Sequence, residues 1–331
     1  MASQLLVTAA PHLRSRDTTA RIMWNVSATL APAALWGVAL FGVQALWVLL
    51  ASIAAALLTE LAFNLALKRS TLADGSAFLT GLLVGMNMPP AVPGFIPVVA
   101  SAFAIAVVKQ TFGGLGRNWM NPALAGRVFV LFSWTGEMTT WTPPRAMGLL
   151  RALGASPVEA VSGATPLAGS AAEWLARGTY RDLFLGNIPG CIGEVSALLL
   201  LAGAIVLFAR GIITWQIPGS YLGVFFILTW VLGGLPEGAG LLKGDVVFQA
   251  FAGGLMLGAF FMATDMVTSP LTARGQLWYG AGAGGLTFLI RFFGGLPEGV
   301  SLAIILMNMA VPLINQLTPP AVFGAVKEAR E

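Results

Sequence analysis

Long apolar runs with very few charged residues recur along this chain, and this feature restricts its fold more than any other. A helix of about 20 apolar residues matches the hydrocarbon core of a bilayer, whereas the strands of membrane barrels alternate apolar and polar residues. The runs here do not alternate, and only 10% of the 331 residues are charged, against about 25% in soluble domains. The sequence therefore predicts an all-α integral membrane protein.

Ten of these apolar segments are predicted to cross the membrane. The third is short, since its 13 residues span roughly 20 Å as a helix, against a hydrocarbon core of about 30 Å. The fifth is also short, and segments interrupted by Gly or Pro are typical of sites inside transporter-like folds. The segments cover about residues 23–43, 45–67, 76–88, 95–108, 123–134, 192–208, 218–232, 246–262, 278–292 and 300–317.

Basic residues set the expected orientation of the spans. Arg21 precedes the first span, and Lys68 and Arg69 follow the second, so the positive-inside rule predicts cytoplasmic ends there. Ten crossings would return the carboxyl terminus to the cytoplasm. The long loop at 136–190 follows five crossings and carries both charge signs, so it is predicted to lie in the periplasm of a Gram-negative cell.

Similar short segments indicate two repeats within a single membrane domain of residues 1–331. Gly-Leu-Leu-Val-Gly at 81–85 is similar to Gly-Leu-Met-Leu-Gly at 254–258, and Gly-Gly-Leu-Pro-Glu-Gly occurs at both 233–238 and 294–299. A unit of five spans is odd, so its second copy must be inverted, as in many transporters. The predicted halves are residues 22–135 and 191–318, separated by the periplasmic loop.

The composition excludes several kinds of site. Cys191 is the only Cys and His12 the only His, which excludes an intrachain disulfide, a Cys-ligated cluster and ligation by several His. No catalytic acid–base pair and no metal site are predicted. The 18 basic residues are scattered along the chain, so membrane lipid is an expected partner and nucleic acid is not.

A short motif in the long loop is the main candidate for chemistry. Ser162, Gly163 and Ala164 are small, so nothing bulky shields the hydroxyl of Thr165 that follows them. The glycine widens the choice of backbone conformations, and Pro166 fixes φ just after the threonine. The pattern predicts an exposed hydroxyl on a tight turn that a modifying enzyme could reach.

Ser-Gly-Ala-Thr at 162–165 resembles the flavinylation motif of the D subunit of Rnf electron-transport complexes and of the B subunit of the Na⁺-pumping NADH:quinone oxidoreductase. In that family, a flavin transferase joins the phosphate of FMN to the threonine hydroxyl. The resemblance implies that Thr165 carries covalent FMN. The family usually has Asp six residues before this threonine, and Glu159 stands there instead.

The resemblance extends over most of residues 20–317, through segments at 74–81, 109–123, 186–194 and 263–270. It implies a subunit of an Rnf-type complex in the bacterial inner membrane. Such a complex moves electrons between ferredoxin and NAD and couples this to Na⁺ or H⁺ transport. The implied partners are the other subunits, including a second periplasmic flavoprotein, and the flavin transferase.

Several polar residues near the spans are further candidates. Asn118 and Asn121 could hydrogen-bond a second, non-covalent flavin, because the quinone-reducing relative is associated with riboflavin in this subunit. Asp74 and Asp265 are interpreted either as helix and turn caps or as parts of an ion pathway. Glu194, at the start of the sixth span, either caps that helix or contributes to the flavin loop.

Two ionisable residues lie inside predicted spans, where such residues are functional candidates. Glu60 and Arg127 are each about eight residues from a cytoplasmic span end, a depth of roughly 12 Å. We predict that they pair. The pair would either be purely structural, or its Glu60 would form part of an ion pathway.

Two alternative functions remain at this stage. A stand-alone channel or secondary transporter without a redox role fits the broken spans equally well. The equivalent subunit of the NADH:quinone oxidoreductase usually has a longer amino-terminal extension, whereas the first span here begins near residue 23, which favours the Rnf type.

Overall fold

The fold is entirely helical in a computed structural model that describes residues 17–144, 165–169, 171–175, 179–194, 196–236, 238–294 and 299–320. Within these residues there is no β-strand. Three helices are long and apolar enough to cross a membrane by length and composition alone, and several apolar helices are shorter. These findings support the prediction of an all-α membrane protein.

The first half of the chain contains two long helices followed by shorter ones. Helix α1 begins after Thr18, whose side chain accepts a hydrogen bond from the amide of Arg21 at 3.3 Å. Helix α5 begins in the same way after Asn121. The helices are α1 (Thr19–Phe41), α2 (Val43–Leu67), α3 (Ser76–Met86), α4 (Phe95–Phe103, continued by π-turns over Ala104–Gln110), α5 (Pro122–Ser133) and α6 (Thr135–Met138).

The described part of the long loop contains two short helices, and the second half contains six more. The loop helices are α7 (Ala171–Leu175) and α8 (Tyr180–Leu185). They are followed by α9 (Ala197–Ala209), α10 (Gln216–Leu232), α11 (Val246–Phe251), α12 (Leu255–Leu257, continued by π-turns over Gly258–Met262), α13 (Ala273–Phe293) and α14 (Val300–Leu317).

Helices occur in all ten predicted segments, but several bounds differ from the prediction, and α13 begins at Ala273, five residues before the predicted start. The eighth segment is not one helix, because the chain leaves helical geometry between α11 and α12. The sixth helix begins at Ala197 rather than at Ile192. Ile192 and Gly193 instead donate their amide hydrogens to the carbonyls of Met88 and Met86, at 3.1 and 2.8 Å, just beyond and at the end of α3.

Helices pack both on neighbours in the chain and on helices that are far away in sequence. In the first half α2 packs on α3 and α4, and in the second half α10 packs on α13. Between the halves, α1 packs on α9 and α5 packs on α14. Tyr221 on α10 and Thr287 on α13 share a buried hydrogen bond of 2.6 Å, which ties that pair together. One cluster of buried apolar residues contains members from both the first and the second part of the chain.

Candidate functional site

Thr165 lies at the start of a short 3-10 turn, Pro166–Ala168, and its backbone is extended. The prediction that its hydroxyl is exposed is wrong, because only 8% of the residue is accessible to solvent. Tertiary packing covers it: Thr165 and Leu167 line a cavity together with Ile188, Pro189, Gly190, Glu194 and Gly253. The rest of the motif, Ser162 to Ala164, and Glu159 lie outside the described residues.

The buried hydroxyl of Thr165 forms no hydrogen bond with any of the described residues. Leaving a buried polar group without a partner costs about 1–3 kcal/mol. Esterification would remove the hydroxyl hydrogen that has no partner. The absence of a partner for this oxygen is compatible with its modification.

The break between α11 and α12 forms one side of this cavity. Gly253 has a φ of +69°, a backbone conformation that residues other than glycine rarely adopt. A Cβ atom at Gly253 would lie 2.7 Å from Cδ1 of Leu167, so the backbone of the break packs directly on the turn that carries Thr165. The glycine thus allows the second half of the chain to hold the loop.

Glu194 connects this cavity to the interior. The interpretation that it caps the sixth helix is wrong, because Ser196 is the N-cap of α9. The buried carboxylate of Glu194 instead lines the Thr165 cavity, and its Oε1 lies 3.7 Å from Nη2 of Arg127. A charged pair of the core therefore stands next to the candidate modification site.

Arg127 is buried on α5 and connects several elements of the core. Its Nη1 donates to Oδ1 of Asn87 at 2.8 Å and to Oγ of Ser301 on α14 at 3.1 Å. The predicted pairing of Arg127 with Glu60 is wrong. The two residues are close in predicted depth, but α5 directs Arg127 toward Asn87, Ser301 and Glu194.

Glu60 pairs with Lys109 instead. The exposed fractions of the two residues are 0% and 1%, and Oε2 of Glu60 lies 3.0 Å from Nζ of Lys109. Lys109 also donates to Oγ of Ser76 at 2.7 Å, and Thr71 donates to Oε1 of Glu60 at 2.5 Å. The cation is thus held between α2 and the start of α3.

Asp74 is connected to the same cluster. Its Oδ1 accepts hydrogen bonds from the backbone amide of Ser76, at 2.8 Å, and from the hydroxyl of that residue. The prediction that Asp74 is the N-cap of α3 is wrong, because Gly75 holds that position and Asp74 ends the 3-10 turn Leu72–Asp74 before it. Because Ser76 also contacts Lys109, a continuous series of polar contacts runs from Asp74 to Glu60.

A second cavity, which is partly open and has an empty volume of about 800 Å³ including its mouth, brings together several residues that are far apart in sequence. Asn118 and Asn121 both line it. Oδ1 of Asn121 accepts from the amide of Ala123 at 3.0 Å and its Nδ2 donates to the carbonyl of Met262 at 3.2 Å, so this side chain holds the start of α5. The buried Oδ1 of Asn118 has no partner among the described residues. Lys109, Ser76 and Asp265 also line the cavity.

Asp265 lies in the turn that follows α12. It accepts hydrogen bonds from the amide of Val267 at 3.2 Å and from the hydroxyl of Thr268 at 3.1 Å, which supports its interpretation as a turn cap. Burial raises the pKa of the Asp265 carboxyl above its usual value. Within the described ranges, no group of three or more His, Cys, Asp or Glu side chains could hold a metal ion.

Residues 6–324 match the family model described as the NQR2, RnfD, RnfE family. The chain belongs to this family. Family members that align over nearly their whole length include the D subunit of the proton-translocating ferredoxin:NAD(+) oxidoreductase complex of Clostridium ljungdahlii. That protein is 44% identical over 328 residues, which cover 96% of each chain. The resemblance found in the sequence is confirmed.

Two more family members show how widely the likeness extends. The D subunit of the Na(+)-translocating ferredoxin:NAD(+) oxidoreductase complex of Acetobacterium woodii is 42% identical, over 99% of this chain and 98% of its own. The D subunit of the ion-translocating oxidoreductase complex of Stutzerimonas stutzeri is 38% identical, over 93% of each chain. These relatives are subunits of oxidoreductase complexes, and their names differ in the ion that is translocated.

Sequence reasoning missed two residues of this family member that the structure places at the cavities. Lys109 directly follows the fourth predicted segment, and a lysine at the end of an apolar run is also a candidate for a buried partner. Gly253 gave no signal, because the adjacent glycines at 253–254 also fit an ordinary membrane helix.

Proposed function

We propose that this chain is the membrane subunit of an Rnf-type complex that carries FMN on Thr165. In this role it passes electrons within a ferredoxin:NAD oxidoreductase that is coupled to translocation of Na⁺ or H⁺. The observation that carries the proposal is the buried, unpartnered hydroxyl of Thr165 beside a cavity. The full-length similarity to the D subunits of such complexes supports it.

The flavin supplies the redox chemistry, and the chain supplies position and electrostatics. Leu167 and Gly253 hold the turn in place, and the Glu194–Arg127 pair provides fixed charges at the inner side of the cavity. A covalent link also prevents loss of a cofactor that faces the outside of the cell. No Cys cluster is needed in this subunit for that role.

The interior cavity is a candidate site for a second, non-covalent flavin, with riboflavin as the expected ligand. Asn118 has a carboxamide oxygen that is free to accept a hydrogen bond, and this supports the assignment. Asn121 contributes by holding the cavity wall rather than by binding. Asp74, Asp265 and Glu60 would form an ion pathway along the same cavity. Asp265 lines the cavity, and Ser76 and Lys109 connect Asp74 and Glu60 to its wall.

The proposed topology has ten spans in two inverted repeats, with both termini in the cytoplasm of the cell and the Thr165 loop in the periplasm. The pairing of α1 with α9 and of α5 with α14 supports it, since corresponding helices of two such repeats meet across a two-fold axis. On that side of the inner membrane, the loop would meet a second flavoprotein subunit and the flavin transferase.

Mass spectrometry of the loop peptide that contains Thr165 tests the proposal. The complex is produced together with its flavin transferase, and the peptide is expected to carry the added mass of FMN. Thr165→Ala should abolish the fluorescent band of the denatured subunit, whereas Thr179→Ala, a matched change in the same loop, should retain it. An unmodified Thr165 in the active complex would refute the assignment and favour a channel or transporter without a redox role.

A further inference from the structure

A groove on the membrane-facing surface lies between α1 and α9, beside the second cavity, which is lined by Val26 and Leu207 of the same two helices. It has an empty volume of about 740 Å³. The backbones of the two helices are close there, since a Cβ atom at Gly203 would lie 2.8 Å from the carbonyl oxygen of Thr29. The helices themselves therefore form the floor of the groove, and its walls are small or apolar side chains: Ala28, Pro32, Leu199, Ala202 and Val206.

One end of the groove carries a positive charge. Arg210, the C-cap residue of α9, is exposed, and its Nη1 donates to Oδ1 of Asn25 on α1 at 2.7 Å. Both residues line the groove. Arg21 lies one helical turn before Asn25, but its Nη1 is 3.9 Å from Oδ1 of Asp17, so Arg210 supplies the positive charge at this end.

Aromatic residues indicate that the charged end lies at the level of lipid headgroups. Trp24 precedes Asn25 and is 47% exposed, and Trp215 follows Arg210 by five residues and is 64% exposed. Exposed tryptophans are enriched at the boundary between hydrocarbon and water. The charged end is therefore at the depth of a phosphate, and the apolar part extends toward the hydrocarbon core.

The groove also offers a backbone acceptor below the charged end. Pro32 lies inside α1 and has no amide hydrogen, so the carbonyl of Ala28 loses its usual helical donor. Ala28 is three residues beyond Asn25, a rise of about 4.5 Å along the helix. A hydroxyl or water at the glycerol level of a lipid could donate to this carbonyl.

We propose that this groove binds a phospholipid with an anionic headgroup. The phosphate contacts Arg210 and Asn25, and one acyl chain lies between α1 and α9 along the small side chains. Charge complementarity selects this ligand, because a guanidinium at headgroup depth favours a lipid with a net negative charge over one whose choline group cancels the charge of the phosphate. The site is independent of the proposed redox function.

Lipid binding is tested on the complete complex in nanodiscs that contain equal amounts of phosphatidylglycerol and phosphatidylcholine. Native mass spectrometry after release from the discs should show retained phosphatidylglycerol in the wild type. Arg210→Gln should reduce the retained amount about tenfold, the effect of losing one charge-assisted contact of about 1.4 kcal/mol. Arg210→Lys should retain part of it, and Arg274→Gln, which alters an exposed arginine at the start of α13, should retain all of it.

A second variant tests the groove without altering the charge. Ala202→Trp fills the groove from the exposed side of α9 and should also reduce retained lipid, while the melting temperature of the complex stays the same. Equal retention of both lipids, or no change in Arg210→Gln, would overturn the proposal. A photo-crosslinker at position 202 that captures another protein of the complex instead of lipid would overturn it as well.

Discussion

Glu60 and Lys109 form an ion pair inside the protein, with 3.0 Å between Oε2 and Nζ and with both residues almost completely buried. The pair joins α2 to the π-turns that continue α4. It also places the ammonium group of Lys109 in the wall of the interior cavity. A structural contact and a candidate ligand-binding surface therefore share one side chain.

Removal of one partner of this pair should destabilise the protein more than removal of both. Glu60→Gln or Lys109→Met leaves the other charge buried, at a cost of about 3–5 kcal/mol. The double variant should recover much of this loss. Thermal unfolding of the complex in nanodiscs measures the three variants, and additive losses in the double variant would contradict the pairing.

Gly253→Ala should loosen the turn that carries Thr165. The substitution strains a backbone with φ of +69° by about 1–2 kcal/mol and also pushes on Leu167. Gly211→Ala is a matched control, because Gly211 has φ of +65° and open space where a Cβ would lie. A larger decrease in melting temperature and in bound flavin in Gly253→Ala than in Gly211→Ala would show the effect of the contact with Leu167. Equal effects would show that the contact is unimportant.

Asp265→Asn should stabilise the protein at neutral pH. Burial raises the pKa of this carboxyl, so the folded state binds its proton more tightly than the unfolded state does. The stability of the wild type is then greatest below the unfolded pKa and falls as pH rises through the folded value. The advantage of the variant in melting temperature should be present at pH 7 and should shrink toward pH 4.

Comparing the melting temperatures of the wild type and Asp265→Asn in Na⁺ and in choline buffers separates the effect of burying the carboxylate from the effect of cation binding. A cation at Asp265 would favour the ionised carboxylate and would reverse the sign of the difference only in Na⁺. If Asp265→Asn lowers the melting temperature in both buffers at pH 7, the expected cost of burying this charge is refuted.

The burial of Thr165 predicts that flavin transfer is slow once the loop has packed. Protein purified without the transferase should be labelled more slowly by added transferase than protein that meets the transferase during synthesis. Leu167→Ala should accelerate labelling, because it removes the side chain that packs on Gly253. Leu175→Ala on α7 serves as the matched control, and in-gel flavin fluorescence follows the rate. Equal rates for the wild type and Leu167→Ala would contradict this view.

The positions of the helices follow from the sequence, because runs of apolar residues bounded by Pro, Gly and charged residues specify helices locally. The start of α3 at Ser76 and the end of α14 at Leu317 are at the predicted residues. The motif at 162–165 and the surrounding segments indicate the family in the same way, since motifs are local in the chain.

Tertiary structure alone decided which polar groups meet. Glu60 binds Lys109 rather than Arg127, and Thr165 is buried rather than exposed, because partners in the folded chain are set by helix packing and rotation. The amide hydrogen bonds that hold Ile192 and Gly193 to the end of α3 likewise join residues about 100 positions apart. Span length and periodicity describe one helix at a time, and they carry no information on which faces of two helices come into contact.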